Sequence, residues 1–316
     1  MIMFRYIIKR LFGAVITVFM VITITFFLVH LTPGDPFSSE RAINAEALKS
    51  LHHMYKLDLP LWDQYCYYIK SLIFDFDFGI SYKNIGVKIN DLIFPADGDS
   101  GFWLTMKIGI ISFLFISICG ISLGIISALK PNGVLDNVIS TLSTILMAIP
   151  TLILAPLLIL VFSVYLSLFP VGQWEFNFSH LFLPVISMSF HSVCILSQIQ
   201  KNSLIDVLNS PFIRTARAKG LTQSYIIKHH ALRPALIPTI SYLGPNVAAI
   251  FAGAVITEKI FSLPGIGTLT VNAAMNRDYS MILALTILFS IVLIVCNTIV
   301  DISYAFIDPK VRDSIK

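Results

Sequence analysis

The dipeptide Gly-Lys occurs nowhere in these 316 residues. A P-loop needs a glycine-rich turn whose amides and lysine cradle phosphates, so the chain lacks the usual ATP-hydrolysing motif. The nearest approach, PGIGTLT at 264–270, is a broken G-x-G with Thr270 where a third glycine would stand and no strand before it. Charge is also scarce: 13% of residues are charged and 56% hydrophobic, against roughly 25% and 45–50% in soluble domains. The four cysteines (Cys66, Cys119, Cys194, Cys296) show no CxxC or metal spacing. Three lie in apolar runs, which excludes a disulfide framework and predicts small buried side chains. His52 and His53 have no third ligand at helical spacing, so a solvated pair is expected and no metal site. Charge is missing from the middle of every long apolar run as well, since Lys107, Asp136 and Asp301 all fall near run ends. Ion-driven transporters keep costly intramembrane charges for function, and here there is none to keep.

What is present is hydrocarbon. Apolar runs at 11–31, 103–129, 138–168, 181–199, 235–257 and 281–301 each approach the ~20 residues a helix needs to cross a bilayer. They predict an all-α polytopic membrane protein with about six transmembrane helices. The third run is too long for a perpendicular span and holds Pro150 and Pro156, so a kinked or tilted helix is expected. The first follows Arg5, Lys9 and Arg10 but exceeds a signal h-region and has no A-x-A site, which predicts an uncleaved anchor. With the N-terminus cytoplasmic, the inside segments hold thirteen Lys and Arg, and the short outside loops only Lys259 and Arg277. That bias places both termini in the cytoplasm and accounts for the net charge of +4 without nucleic acid.

The resulting division is residues 1–31 for the tail and first span, 32–102 for an extracytoplasmic insert, 103–305 for a core of five further spans, and 306–316 for a cytoplasmic tail. In the insert, AEALKSLHHMY spaces Leu48, Leu51 and Tyr55 on one face, and LWDQYCYYIKSLI does the same with Tyr65, Ile69, Leu72 and Ile73. The insert is expected to pack on the outer ends of the spans. The outer turn 258–280, rich in Pro and Gly, is expected to dip partly into the membrane.

GISLG at 120–124 matches a serine-nucleophile pattern, but that motif works at a strand-to-helix turn. In an apolar helix, Gly120, Gly124 and Ala128 read as a small-residue ladder for close helix packing. The remote alternative is an intramembrane serine protease with Ser122 as nucleophile and His191 as base; otherwise no catalytic residue stands out. Ser187, Ser189, His191, Ser192, Ser197 and Gln198 form a polar stripe that reads equally as the wall of a watery path or as interhelical hydrogen bonding. Pro150, Pro156, Gly244 and Gly253 are candidate pore-shaping positions.

Between the fourth and fifth spans, in the loop 200–234, stands SPFIRTARAKGL. Ser210 suits an N-cap, Pro211 the first helical position and Gly220 a left-handed stop, which predicts a helix of about nine residues. So short a helix is marginal alone, so something must hold it. Phe212, Ile213 and Ala216 form an apolar ridge flanked by Arg214 and Arg217, a pattern that fits docking in a partner groove or lying on anionic lipid.

IRTARAKGL followed by HHALRPALIP closely resembles the cytoplasmic coupling loop of ABC-importer permeases of the dipeptide/oligopeptide/nickel family. Arg214, Thr215 and Ala216 stand at the E-A-A positions of that family's signature and Gly220 at its glycine. LTPGDPF, DFGIS, ITEKIFSLPGIG, NRDYS and YAFIDPKVR extend the resemblance along nearly the whole chain, and SYLGP, LPGIG and NRDYS look most like its oligopeptide branch. The resemblance implies a bacterial inner-membrane permease pairing with a second homologous permease, two cytoplasmic ABC ATPases and an extracytoplasmic peptide-binding protein. It implies no cofactor on this chain, with ATP-Mg on the ATPases. It assigns Phe212, Ile213, Arg214, Thr215, Ala216, Arg217 and Gly220 to ATPase coupling. Dipeptides, nickel or another small solute are the alternative cargo.

Overall fold

The computed structural model describes residues 2–31, 45–172, 174–175, 177–307. Most of LTPGDPF and the tail from 308 lie outside the described residues, as do the side chains of 2–6 and 300–307. Among the described residues the secondary structure is helical, with two isolated bridges in place of sheet. Long helices α1 (Ile2–Leu31), α5 (Gly101–Leu129), α8 (Ser179–Leu208), α12 (Ile237–Ile260) and α14 (Tyr279–Ile307) are each long and apolar enough to span a membrane. The remaining predicted span is not one tilted helix. It breaks into α6 (Val134–Met147) and α7 (Thr151–Leu158), the latter continued by a π-helical stretch to Tyr165, with a bend of 106° between the two arms. Pro150 stands at the break with extended φ/ψ (−60°, 142°), because a residue before a helix need not be helical and proline has no amide to give its predecessors. Pro156 lies inside α7, just before the π-helical stretch.

The spans are unequally buried. In the most apolar window of α8, 61% of residues are buried, against 11% for α1. α8 is thus the axis of the bundle and α1 a peripheral helix, with Ile22 and Phe26 its buried side chains among those described. The α5–α8 contact is made possible by the small-residue ladder. A Cβ on Gly120 would sit 2.8 Å from Leu196 Cβ, and one on Gly124 would sit 2.6 Å from the Ser197 carbonyl oxygen. Glycine lets the two backbones close, and the ladder therefore has a packing role. Ser122 is exposed, while Gly120 and Gly124 are buried.

At one end of the bundle lie α2 (Ala45–Met54), α3 (Leu61–Lys70), α4 (Ile89–Ile93) and α13 (Ile266–Met275). Tyr65, Leu72, Phe78, Ile89 and Ile93 share a core with Ile22 and Phe26 of α1 and with α14, so the insert packs on the span ends as expected. Ile73 departs from its predicted face and is exposed. A π-helical turn over Ser71–Asp75 widens the helical period after Lys70, so Ile73 no longer falls on the face of Tyr65 and Ile69. A cavity of about 180 Å³ opens beside this core, where burial raises the Tyr68 phenol above its usual pKa.

Candidate functional site

At the opposite end, Pro211–Ala218 forms the helix predicted from SPFIRTARAKGL, here α9. Ser210 is extended at the N-cap (φ −68°, ψ 154°), but its hydroxyl turns back to donate to the Val207 carbonyl at 2.5 Å and makes no side-chain cap. The stop is a Schellman closure. Gly220, at φ +78°, donates to the Arg217 carbonyl at 2.9 Å, and Leu221 donates to the Ala216 carbonyl at 3.4 Å.

The apolar ridge is divided. Ile213 is 0% exposed and Ala216 7%, both packed in a cluster with Ala128, Leu204, Leu208, Ile226, Ile227 and Ala231. The expectation that Phe212, Ile213 and Ala216 present one docking ridge is corrected here: Ile213 and Ala216 face this chain's own core. They answer the question of what holds so short a helix. Leu221 packs on the same cluster, which lies at the C-terminal ends of α5 and α8. The surface left outward carries Phe212, Arg214, Thr215, Arg217, Lys219 and Gly220. The segment that follows is α10 (Gln223–Ile226), a π-helical Ile227–Ala231 and α11 (Leu232–Ala235), and it adds exposed Lys228, His229, His230 and Arg233. Arg214 and Arg217 are one turn apart on the same helix. The result is a cationic platform with one exposed aromatic, seated on the chain's own core and suited to an acidic or carbonyl-rich groove.

A buried ion pair fixes the neighbouring loop. Asp136, 2% exposed, pairs with Lys201 of α8 and accepts from Ser127 of α5, the Asn132 amide at 2.7 Å and Ser140 at 3.1 Å. The α5–α6 turn is thereby tied to the same ends of α5 and α8 from which α9 hangs.

The polar stripe of α8 resolves mainly in favour of internal bonding. Ser187, Ser189, Ser192 and Ser197 are buried. Ser192 donates to Asn246 Oδ1 at 2.8 Å, Ser189 to the Ser112 carbonyl at 3.4 Å, and Ser187 and Ser197 to carbonyls one turn back. His191 alone of the stripe is exposed, on a helix whose other exposed side chains, Phe182, Asn202 and Asp206, lie toward its ends. Gly244 is buried, while Gly253 is half-buried with open space where a side chain would start.

One buried charge was not singled out in the sequence. Glu258, 0% exposed near the end of α12, accepts from Thr105 Oγ1 at 2.6 Å, the Gly267 amide at 2.8 Å and the Thr268 amide at 3.3 Å. Thr105 Oγ1 in turn accepts from the Ile266 amide at 3.0 Å. A Cβ on Gly265 would lie 2.2 Å from Glu258 Oε2, so LPGIG is glycine-rich because its backbone wraps a carboxylate. The signal was present in Glu258, Gly265 and Gly267, but 258–280 read as an outer turn, whereas α12 runs on to Ile260. A second carboxylate, Asp278, 3% exposed, accepts from Ser81 Oγ, the Tyr82 amide at 3.0 Å and the Met281 amide at 3.2 Å. It staples the insert to the start of α14, and burial raises the Tyr82 phenol beside it.

Fold and site together define a multi-span α-helical membrane protein with a cationic helical platform at one end and carboxylate-latched loops at the other. Residues 120–313 match the family described as the binding-protein-dependent transport system inner membrane component, and residues 3–86 match the N-terminal domain of such membrane components. The chain belongs to this family. It is 43% identical over 98% of its length to all of the Haemophilus influenzae oligopeptide transport system permease protein OppB, and 42% identical over 98% to all of the Salmonella typhimurium protein of that name. It is 39% identical to the dipeptide transport system permease protein DppB of Bacillus subtilis, over 98% of each chain. The fold is similar to that of a chain in the inward-facing MetNI methionine ABC transporter, at TM-score 0.56 and 16% identity, covering 66% of this chain and 94% of that one.

Proposed function

We propose that this chain forms half of the translocation path of an ATP-driven oligopeptide importer, and that α9 is the helix through which cytoplasmic ATPases drive it. The single observation that carries the coupling role is the division of α9: Ile213 and Ala216 locked into the chain's own core, with Phe212, Arg214 and Arg217 left outward. A helix anchored on one side and free on the other transmits a push into α5 and α8 without bending. That meets the need of a transporter with no P-loop of its own. In this reading α9 and both termini are cytoplasmic and the insert is extracytoplasmic. A second homologous permease completes the path, ATP-Mg is held by the two ATPases, and a peptide-binding protein delivers cargo to the insert end. The oligopeptide assignment is supported by the similarity to proteins of that name. Pro150 at the bend and His191 on the exposed part of α8 are proposed to shape and face the path.

The test is uptake of a labelled tetra- or pentapeptide by cells lacking this gene, complemented with the chain or with its Arg214→Ala, Arg217→Ala form, both verified in the membrane. ATP-dependent uptake restored by the first and not the second is the expected result. Failure of both overturns the oligopeptide reading and leaves dipeptides as the next cargo, a reading favoured by the DppB similarity. Equal uptake by both overturns the coupling role.

A further inference from the structure

Outside the path and the platform, α1 and α14 leave a groove of about 590 Å³ between them, lined by Lys9, Arg10 and Gly13 on one side and Asn297 and Thr298 on the other. The two threonines nearby satisfy themselves: Thr17 donates to the Gly13 carbonyl at 2.9 Å and Thr298 to the Ile294 carbonyl at 2.7 Å. Asn297 does not. Its carboxamide is exposed and makes no hydrogen bond among the described residues, although it stands within the apolar span Tyr279–Ile299. An amide facing hydrocarbon without a partner is costly. Lys9 is likewise exposed and unpartnered among the described residues. A side chain on Gly13 would meet nothing within 4 Å, so the groove floor is open. Leu11, Phe12, Val15 and Ile16 flank it and are exposed on α1, a surface fit for lipid and not for water.

We infer that this groove binds one anionic phospholipid, its phosphate at Lys9 and Arg10, its glycerol-ester region at Asn297 and its acyl chains along α1. The placement in the cytoplasmic leaflet rests on the orientation proposed above. Charge complementarity selects the occupant. Lys9 and Arg10, at the end of an apolar span, attract an anionic headgroup, and the Asn297 amide, without a partner among the described residues, matches the ester carbonyls beneath that headgroup. A zwitterionic lipid offers the same esters without the net charge.

The experiment is native mass spectrometry of the purified full chain titrated with phosphatidylglycerol or phosphatidylcholine of identical acyl chains. The chain should retain one phosphatidylglycerol with roughly tenfold preference, and Lys9→Gln with Arg10→Gln should abolish that preference. Asn297→Leu should weaken retention of both lipids by roughly threefold while leaving the preference. Lys228→Gln with Arg233→Gln removes the same charge elsewhere and should leave the retention of both lipids and the preference between them unchanged. Equal retention of the two lipids, or equal loss in the control pair, overturns the inference. So does cross-linking of Asn297→Cys, in a Cys296→Ser background, to a second membrane subunit in native membranes, because the groove would then be a protein contact. A topology reporter at the N-terminus separates the two readings. An outside terminus overturns the orientation, whereas a cytoplasmic terminus without lipid preference overturns the groove.

Discussion

Two regions of this molecule are seated by different physics. α9 and the segment after it are held by apolar burial: Ile213, Ile226, Ala231 and Leu204 are all 0% exposed, the Asp136–Lys201 pair ties the α5–α6 turn beside them, and the cations above them face outward. At the insert end, buried carboxylates are added to the apolar core, Glu258 gripping the amides of 267–268 beside Thr105, which takes that of Ile266, and Asp278 gripping 81–83. Apolar packing is non-directional and tolerates small sliding. A carboxylate bound to several amides has one geometry, and removing it leaves donors without partners. The carboxylates therefore hold 81–83 and 267–268 in one geometry, whereas the helix that is proposed to be pushed has a firm but repackable apolar seat.

The sharpest way to break the comparison is at Glu258. Glu258→Ala strands the Gly267 and Thr268 amides, a loss of roughly 2–6 kcal/mol at about 1–3 kcal/mol per buried group, while the Thr105 hydroxyl keeps the Gly101 carbonyl as acceptor. The expected outcome is a lower melting temperature in detergent and poor recovery from the membrane. Glu258→Gln, which keeps the volume and can still accept from the amides, should lose much less. Equal melting of the Ala variant and the parent would show that the latch carries no stability.

Ile213→Ala tests the other end. Truncating a fully buried isoleucine costs about 2–4 kcal/mol, but here the loss falls on a small satellite cluster. Hydrogen exchange should therefore quicken in 210–231 with little change at 258–281. Uniform acceleration through the chain would mean that the two ends are not independently held.

These two sites also differ in how far they could be read without coordinates. The cap, length and stop of α9 were legible because Ser210, Pro211 and Gly220 act through local backbone geometry, and Gly220 does stand at φ +78°. The Gly120–Gly124 ladder was legible for the same reason: helical spacing fixes a face. Which side of α9 is covered was not legible, since Phe212, Ile213 and Ala216 form one ridge by period and only the tertiary cluster decides that Ile213 goes in and Phe212 out. The 106° break was foreshadowed by Pro150 but not its size. Glu258 was hidden for a different reason: its partner Thr105 is remote in sequence, Gly267 opens a separate helix, and no periodicity links a carboxylate to the amides it binds.

Gly220→Val carries a smaller expected cost. At φ +78° nothing lies within 4 Å of a new Cβ, so the penalty is backbone strain alone, about 1–2 kcal/mol for a left-handed residue. The Schellman closure should loosen, the chain should still insert, and peptide uptake should fall severely as α9 loses its register. Gly220→Asn, which tolerates that region better, should recover part of the uptake. Normal uptake by the valine form would remove the stop of α9 from the coupling argument.

The least expected change in stability comes from the pair most exposed to a partner. Arg214 and Arg217 lie outside the apolar cluster, and Arg214→Ala with Arg217→Ala should alter melting by no more than about 0.5 kcal/mol, as surface substitutions do. If the platform is a contact for an ATPase, the same variant should lose most ATP-dependent uptake and its co-purification with ATPase subunits, because two charge-assisted contacts vanish together. The pair thus separates seat from surface: Ile213 loosens the helix, whereas the arginines leave it folded and deaf. A double variant that melts early would make the arginines part of the seat. One that melts normally and transports normally would leave the cationic face of α9 without a role in coupling.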